Sequence, residues 1–163
     1  MFCRDALVPE VVSARPDETI ADAIALLQQH GIRTLPIVDD QRVPIGCFSF
    51  SDLLGQLLPR AITLEHHGLE DTNLRLDYLV DAEEKVARHL AELLPVKLAD
   101  VMGPHQHVVH PETPLWEGIR QLFRHGSPIP VVDKASGELL GLISVQSVMT
   151  ELAKLVGQGP PAQ

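Results

Sequence analysis

The chain has 163 residues, of which 45% are hydrophobic, and a formal net charge of −9 at pH 7. That length allows one compact domain or two small units that share a core. The negative charge disfavours binding to nucleic acid or to an anionic membrane, because both need a positive field. No apolar run approaches the ~18 residues of a membrane span, and the N-terminus lacks a signal peptide. The only cysteines, Cys3 and Cys47, lack metal or redox spacing, which indicates a reducing compartment. We therefore expect a soluble, cytoplasmic protein.

The first predicted elements are a short strand and an amphipathic helix. Val11–Ala14 is an apolar run that breaks at Pro16, and Asp17 or Thr19 can cap the helix that follows. Gly31 supplies the usual left-handed stop at the end of that helix. The helix is predicted from apolar residues that recur at i, i+3, i+4 and i+7, namely Ile20, Ala23, Ile24 and Leu27.

A hairpin and a second helix follow. Leu35–Val38 and Val43–Phe48 are apolar, β-branched runs on either side of Asp39–Arg42, which predicts two antiparallel strands and their turn. Ser49 can cap a second helix that continues to Leu58. The whole unit is therefore predicted as β-α-β-β-α, and we assign it residues 1–58.

Residues 59–94 are predicted to form a helical connector in two pieces. Asp81–Glu84 resembles a capping box, and it precedes an apolar stripe that predicts the second helix, formed by Val86, Leu90, Leu93 and Leu94. A less regular apolar cluster upstream predicts the first piece, from Leu69, Leu74, Leu76, Tyr78 and Leu79. Residues 157–163 are rich in Gly, Pro and Gln, and we expect them to be disordered.

The first pattern occurs a second time, so residues 95–156 are predicted to repeat the first unit. Residues that coincide at an offset of 95 are Asp5/Asp100, Pro9/Pro104, Pro16/Pro111, Gly31/Gly126, Gly46/Gly141 and Ser49/Ser144. Thr113 and Pro114 predict a helix start, with Thr as the cap and Pro at the first helical position. The duplication predicts an α/β (α+β) fold in which two units pack in pseudo-twofold fashion, with two three-stranded sheets facing across one shared core.

Four motifs follow one another in repeat 1: D-x-M/L-x-P, P-D-x-T, H-G-I-R-x-L-P-I-V-D and G-x-x-S-x-x-D. This ordered series resembles the cystathionine-β-synthase (CBS) domain. Two copies in tandem resemble the CBS pair, or Bateman module. The resemblance implies a regulatory module that binds an adenosine-containing ligand, such as AMP, ADP, ATP or S-adenosylmethionine, in clefts between its repeats. It also implies no essential cofactor, a homodimer shaped as a flat disk, and a fused or separate protein partner.

The resemblance places a ribose site at the start of the last helix of repeat 1, where the matching residues are Ser49 and Asp52. A carboxylate suits a vicinal diol because each hydroxyl can donate to an ionised oxygen, at ~1.5–3 kcal/mol per bond. The same two residues are also an N-cap with an acidic third residue, which stabilises a helix start without any ligand. Repeat 2 keeps Ser144 but carries Ser147 where the Asp would be.

The resemblance also assigns ligand phosphates to the polar pair before the P-I-V-D strand. In repeat 1 this pair is Arg33 and Thr34, and in repeat 2 it is Ser127 and Pro128. A guanidinium fits phosphate oxygens, whereas Pro128 has neither a side-chain nor a backbone donor. Arg33 is equally well interpreted as a solvated arginine of a helix–strand loop.

The adenine is expected against the segment before the first helix, Val12–Pro16, which includes Ala14. Its candidate apolar walls are Ile20, Leu35 and Pro36, residue types that are just as typical of a core. Both polar elements occur in repeat 1 and neither occurs in repeat 2. We therefore expect one equipped ligand site, built by repeat 1, and one degraded site.

Two other interpretations differ in class from ligand sensing. No Ser–His–Asp order, P-loop or dinucleotide-binding glycine set occurs, so we expect no enzyme. His105, His107 and His110 could hold a metal, but no carboxylate or thiolate is fixed nearby to complete a tetrahedron, so we expect no metal site.

The main alternative is a homodimeric interaction scaffold without ligand, held together by apolar faces of the last helix of each repeat. These faces are predicted from Leu53, Leu54, Leu57 and Leu58 in repeat 1, and from Val148, Met149, Leu152 and Leu155 in repeat 2.

Overall fold

The computed structural model describes residues 1–57, 82–103 and 107–157. Predictions that fall outside the described residues concern Leu58, the first connector piece, Asp81, His105 and the tail beyond Gly157. After a 3₁₀ helix at Cys3–Ala6, repeat 1 contains α1 (Ile20–His30), β1 (Thr34–Val38), β2 (Pro44–Ser49) and α2 (Phe50–Leu57). The connector and repeat 2 contain α3 (Ala82–Leu93), α4 (Leu98–Val101), α5 (Leu115–His125), β3 (Ile129–Val132), β4 (Leu139–Ile143) and α6 (Val145–Gly157). This mixture of helices and small antiparallel sheets confirms the predicted fold class.

Most local signals in repeat 1 act as predicted. Thr19, rather than Asp17, caps α1, because its hydroxyl accepts from the N–H of Asp22 at 3.2 Å while the Asp22 carboxylate accepts from the N–H of Thr19 at 2.9 Å. Gly31 ends the helix at φ 61°, in the left-handed region. In the β1–β2 turn, the Asp39 carboxylate accepts from two backbone N–H groups, those of Gln41 and Val43, each at 2.9 Å.

The predicted start of α5 is wrong in detail. Pro114 is the N-cap residue rather than the first helical residue, and its side chain makes no capping hydrogen bond. The Thr113 hydroxyl instead accepts from the N–H of His110 at 3.0 Å. The N–H of Leu115, the first in the helix, donates to the carbonyl of Met1 at 3.1 Å. A distant backbone carbonyl therefore satisfies an N–H group that a local cap would otherwise serve.

The predicted three-stranded sheets are two-stranded, β1–β2 and β3–β4. The first predicted strand of each repeat forms only one parallel bridge, Ala14 to Ile37 and Val109 to Val131. Ala14 donates to the Pro36 carbonyl at 3.0 Å and accepts from Val38 at 2.9 Å. The next bond on either side would need an N–H from Pro16 or from Pro36, and proline has none.

The two repeats exchange their opening segments. Residues 1–8 lie along repeat 2, and residues 96–103 lie along repeat 1, so that four backbone hydrogen bonds recur at an offset of 95. The bonds made by the first segment are Leu115 to Met1, Cys3 to Thr113, Arg4 to Pro111 and Val8 to Leu142, at 2.8–3.1 Å. Their counterparts are Ile20 to Val96, Leu98 to Glu18, Ala99 to Pro16 and Gly103 to Cys47, at 2.8–3.0 Å. This correspondence is the pseudo-twofold relation that the duplication predicts.

The exchange divides the interior into two clusters, where one shared core was predicted. Each cluster forms around one sheet, and the opening segment of the other repeat completes it. Cys3 and Ala6 lie within the repeat-2 cluster, beside Ile143 and Val148. Leu98 is fully buried in the repeat-1 cluster. Three connector residues that the sequence predicts as one stripe, Leu90, Leu93 and Leu94, pack against that repeat-1 cluster.

Each exchanged segment approaches a glycine in the facing strand, and at Gly141 the approach requires glycine. A Cβ on Gly46 would lie 2.8 Å from the Met102 sulfur, which is the end of a flexible side chain. A Cβ on Gly141 would meet the Val8 carbonyl oxygen and lie 2.5 Å from Leu7 Cδ1. The Val8 backbone cannot yield without breaking its two hydrogen bonds to Leu142, at 2.8 and 3.0 Å.

We therefore expect Gly141→Ala to destabilise the protein by ~1–3 kcal/mol, as overpacking against backbone does. Gly55→Ala is the matched control, because the added Cβ in α2 meets no neighbouring atom of the other described elements within 4 Å, and removal of a helical glycine stabilises by ~1 kcal/mol or less. Urea unfolding measures both changes. Equal unfolding midpoints for the two variants would contradict the tight docking of residues 1–8.

Candidate functional site

Ser49 and Asp52 form a helix cap at the junction of β2 and α2. The Ser49 hydroxyl donates to Asp52 Oδ2 at 2.7 Å and accepts from the N–H of Asp52 at 3.1 Å. Both residues are half-buried. Within the described part of the chain, Asp52 Oδ1 has no hydrogen-bond donor, so the carboxylate keeps acceptor sites for further donors. Capping and ligand binding are thus compatible in this pair.

The phosphate candidates lie at the same edge of the sheet. Thr34 begins β1 and stands directly opposite Ser49 in the β1–β2 register. Arg33 precedes it and is exposed; among the described residues it forms no ion pair. The structure therefore places Arg33, Thr34, Ser49 and Asp52 next to the N-terminus of α2.

The adenine candidates Ala14 and Pro36 are neighbours on the same sheet. The Ala14 N–H donates to the Pro36 carbonyl at 3.0 Å, and both residues are buried. Because side chains alternate along a strand, Pro36 shares a face with Thr34, two residues away. Leu35 points to the other face and is fully buried in the repeat-1 cluster, as is Ile20. Leu35 and Ile20, which were predicted as walls of the adenine site, are therefore core residues.

Repeat 2 builds the same edge with different groups. Ser144 and Ser147 cap α6 reciprocally, because each N–H donates to the other hydroxyl, at 3.0 and 3.1 Å. The Ser127 hydroxyl accepts from the N–H of Val145 at 3.2 Å. Pro128 stands next to it with no donor to offer.

An open surface pocket of about 410 Å³ lies beside this repeat-2 edge. Its wall combines α6 with the exchanged N-terminal segment, through Asp5, Ala6, Leu7, Val8, Ser144, Gln146, Ser147, Thr150 and Glu151. The sequence analysis missed Asp5 and Glu151, and it assigned the weaker site to this repeat. The coincidence of Asp5 with Asp100 in the duplicated pattern is the signal that could have drawn attention to the N-terminal segment.

Two of the histidines interact closely with each other. The rings of His107 and His125 stack with centroids 3.4 Å apart and an interplanar angle of 22°. His110 Nδ1 lies 3.1 Å from the Val132 carbonyl oxygen. Within residues 1–57, 82–103 and 107–157, no group of three or more His, Cys, Asp or Glu side chains could hold a metal ion.

Among the described helices, none is both long and apolar enough to cross a lipid bilayer.

Comparison with known proteins gives consistent matches over both repeats. The family model of the CBS domain matches residues 3–59 and 98–154. The chain is 31% identical over 143 residues to the CBS domain-containing protein CBSX2, chloroplastic, of Arabidopsis thaliana, a match that covers 83% of this chain and 56% of that relative. The chain thus spans little more than half the length of this relative.

Two solved structures share the fold. A crystal structure of CBSX2 in complex with AMP matches with a TM-score of 0.68 and 22% identity, over 95% of this chain and 98% of that one. The CBS domain pair of protein MJ0100, in complex with 5′-methylthioadenosine and S-adenosyl-L-methionine, matches with a TM-score of 0.62 and 18% identity, over 93% and 99% of the two chains.

The histidine stack predicts a loss of stability in acid. Burial first, and then the charges of His107, Arg124 and Arg120, lower the pKa of His125 below its usual 6.5. The folded protein then binds fewer protons than the unfolded chain, so stability falls as the pH drops below about 6.5. Urea midpoints at about pH 7.5 and 5.5 should show this fall, and His125→Gln should reduce it. His89→Gln, on the exposed face of α3, should leave it unchanged; an equal effect of both variants would refute the assignment.

Proposed function

The chain belongs to the CBS domain family, and on that premise we propose that it is a regulatory module, rather than an enzyme, that binds an adenosine-containing nucleotide in the cleft between its two repeats. One observation carries the proposal: Asp52, Ser49 and Thr34 lie together at one sheet edge, beside Arg33, which forms no ion pair with the described residues. The complexes of CBSX2 with AMP and of MJ0100 with adenosyl ligands support the ligand class.

The ribose is assigned to Asp52. Its carboxylate already accepts from Ser49 through Oδ2, and Oδ1 faces no donor within the described part of the chain. A vicinal diol supplies two O–H donors, each of which forms a charge-assisted bond with an ionised carboxylate. The Ser49 hydroxyl fixes the rotation of the carboxylate, so less conformational entropy is lost when the ribose binds.

The rest of the nucleotide is assigned to the neighbouring groups. Arg33 supplies a permanent positive charge and planar donors for the phosphates, and Thr34 adds a hydroxyl. The adenine is assigned to Ala14 and Pro36, on the face of the sheet that Thr34 shares. Arg33 thereby provides a local cationic site in a chain whose net charge is −9.

Regulation would follow from the shared construction of the cleft. Gly103, from the opening segment of repeat 2, bonds to the Cys47 carbonyl at 3.0 Å, two residues before Ser49. The strand that leads to this edge is therefore hydrogen-bonded to the opening segment of repeat 2. Ligand binding favours the arrangement of repeats that fits it best, and a protein partner can sense that arrangement.

We expect Asp52→Ala to weaken nucleotide binding by ~1.5–3 kcal/mol, or about ten- to a hundredfold. Ser147→Ala, at the equivalent position of repeat 2, is the matched control and should change AMP affinity little. Calorimetry with AMP, ADP, ATP and S-adenosylmethionine measures both variants.

Measuring fold stability as well as ligand affinity on the Asp52→Ala variant separates the capping role of Asp52 from its binding role. If Asp52 only caps α2, Asp52→Ala costs ~1 kcal/mol of fold stability and leaves affinity unchanged. Equal losses of affinity in the two variants, or no binding by the parent protein, would remove the repeat-1 site and favour the scaffold.

A homodimeric scaffold is the second candidate, and exposed apolar side chains favour it. Of the predicted faces, Leu53 and Val148 are buried, whereas Leu54, Met149 and Leu155 are exposed. A further stripe was not predicted: Trp116 and Phe123, on α5, are 66% and 91% exposed. Together with Ile119 they recur at i, i+3 and i+7, on one side of the helix.

The α5 stripe fits a second copy of the chain. Glu117 lies near the start of the helix, and Arg124 near its end, so two copies in antiparallel orientation bring opposite charges together. Aromatic side chains bury ~150–250 Å² each. Two of them on each partner supply about half of the ~800 Å² that a standard interface buries per partner.

If α5 forms this interface, Phe123→Glu should convert a dimer into a monomer at tens of micromolar. Leu140→Glu, at an exposed apolar position on β4, should leave the dimer intact. Light scattering with size-exclusion chromatography measures the mass. A parent protein that is already monomeric would contradict the homodimer.

The cellular location stays a prediction. The Arabidopsis relative is described as chloroplastic, and the cytoplasmic assignment rests on the sequence alone.

A further inference from the structure

Two histidines from different elements of repeat 2 come together at its surface. His107 lies two residues before the bridge that Val109 forms with Val131, and His125 is the last residue of α5. Their rings stack with centroids 3.4 Å apart. We propose that this pair is a metal-binding site, which takes a late first-row divalent ion such as Zn²⁺, Ni²⁺ or Cu²⁺ through two imidazole nitrogens.

This pair differs from the site that the histidine spacing suggests. In the sequence, His107 and His110 belong to one H-x-H-x-x-H pattern. In the fold, His110 Nδ1 lies 3.1 Å from the carbonyl oxygen of Val132, which holds that ring against β3. The ring that reaches His107 is instead that of His125, because the first strand segment of repeat 2 passes beside the end of α5.

Both imidazoles keep their ring nitrogens available. Neither His107 nor His125 forms a hydrogen bond or an ion pair with another described residue. Both residues are exposed, so metal binding costs no protein contact other than the stack itself. A neutral imidazole has one nitrogen with a free lone pair, and this is a donor that suits Zn²⁺, Ni²⁺ and Cu²⁺.

The separation of the rings suits one shared ion. Two metal–nitrogen bonds of ~2.0–2.1 Å place the nitrogens about 3 Å apart when they occupy adjacent positions on the ion. The ring planes differ by 22° and must open further so that both nitrogens point at the ion. Exposed side chains make such rotamer changes within nanoseconds.

The structure also provides space beside the rings. A small pocket of about 60 Å³ is lined by His107, His125, Pro128 and Ile129. Since one water needs only ~10–15 Å³ of such volume, the pocket has room for an ion together with bound water. Among the described residues no third His, Cys, Asp or Glu completes the site, so water fills the remaining positions.

The charges around the pair decide which ions bind. Mg²⁺ and Ca²⁺ need oxygen ligands, above all carboxylates, and the nearby carboxylate of Glu117 already accepts from Arg120 Nε at 2.7 Å. Arg124 forms no ion pair with the described residues, and its charge acts on His125. That positive charge opposes every cation, so only an ion with a strong bond to nitrogen binds.

An ion at this position joins two elements of repeat 2 that are otherwise held separately. The segment of His107 is attached to the sheet through Val109, whose N–H donates to the Pro130 carbonyl at 3.0 Å, whereas His125 belongs to α5. Because the unfolded chain does not hold the two rings together, the ion stabilises the folded repeat. Repeat 1 lacks such a pair: His30 coincides with His125, but Val12 stands at the position of His107.

The test is calorimetry on the full chain, without a histidine tag, titrated with ZnCl₂, NiCl₂ and MgCl₂ at about pH 7.5, where imidazole is largely neutral. We expect Zn²⁺ and Ni²⁺ to bind and Mg²⁺ not to bind. His107→Gln and His125→Gln should each weaken both ions about tenfold or more, because even the loss of a group that only orients a ligand costs ~10–100-fold.

His30→Gln is the matched control, because it changes the equivalent helix end of repeat 1, where no histidine lies at the position of His107. It should leave the affinity for both ions unchanged. Since the substituted side chains are exposed, the variants keep their core packing, and circular dichroism checks that they are folded.

Three results would overturn the site. The first is that neither Zn²⁺ nor Ni²⁺ binds the parent protein, and the second is that Mg²⁺ binds equally well, which indicates an adventitious ion only. The third is that His125→Gln binds as the parent does while His107→Gln is weakened, which assigns the ion to the local pair His105 and His107. None of these results involves a nucleotide, so each leaves the proposed function untouched.

Discussion

The exchange of opening segments between the two repeats is the constraint on which the rest of the structure depends. Cys3 and Ala6 complete the interior of repeat 2, and Leu98 completes that of repeat 1. Full burial of a side chain as large as that of Leu98 contributes roughly 1.5–3 kcal/mol, so a repeat that lost the opening segment of the other repeat would lose part of its stability. The matched backbone hydrogen bonds also set the orientation of the repeats, which makes them one folding unit.

Prolines and glycines make the exchange geometrically feasible. Pro16 and Pro36 limit the pairing of the first segment with β1 to a single bridge, which frees the chain to turn directly into α1. Gly46 and Gly141 leave room for the opening segment of the other repeat to approach the second strand of each sheet. These positions coincide in both copies because the same backbone contact is built twice.

On this symmetric backbone the two repeats carry different charges. The repeat-1 edge has Asp52 and the cation Arg33, whereas the repeat-2 pocket is lined by Asp5, Glu151 and hydroxyl side chains.

The sequence by itself determined the repeats, the helices, the hairpin and the cap at Ser49, because these follow from local hydrogen bonding, side-chain periodicity and an exact internal offset. It also brought Arg33, Thr34, Ser49 and Asp52 into one candidate site, since the hairpin register joins residues close in sequence. Only the tertiary structure decided that the Met1 carbonyl serves the start of α5, that the core divides in two, and that Asp5 and Glu151 line one pocket. Those contacts join residues more than a hundred positions apart, and no local pattern encodes which distant segment fills a given edge.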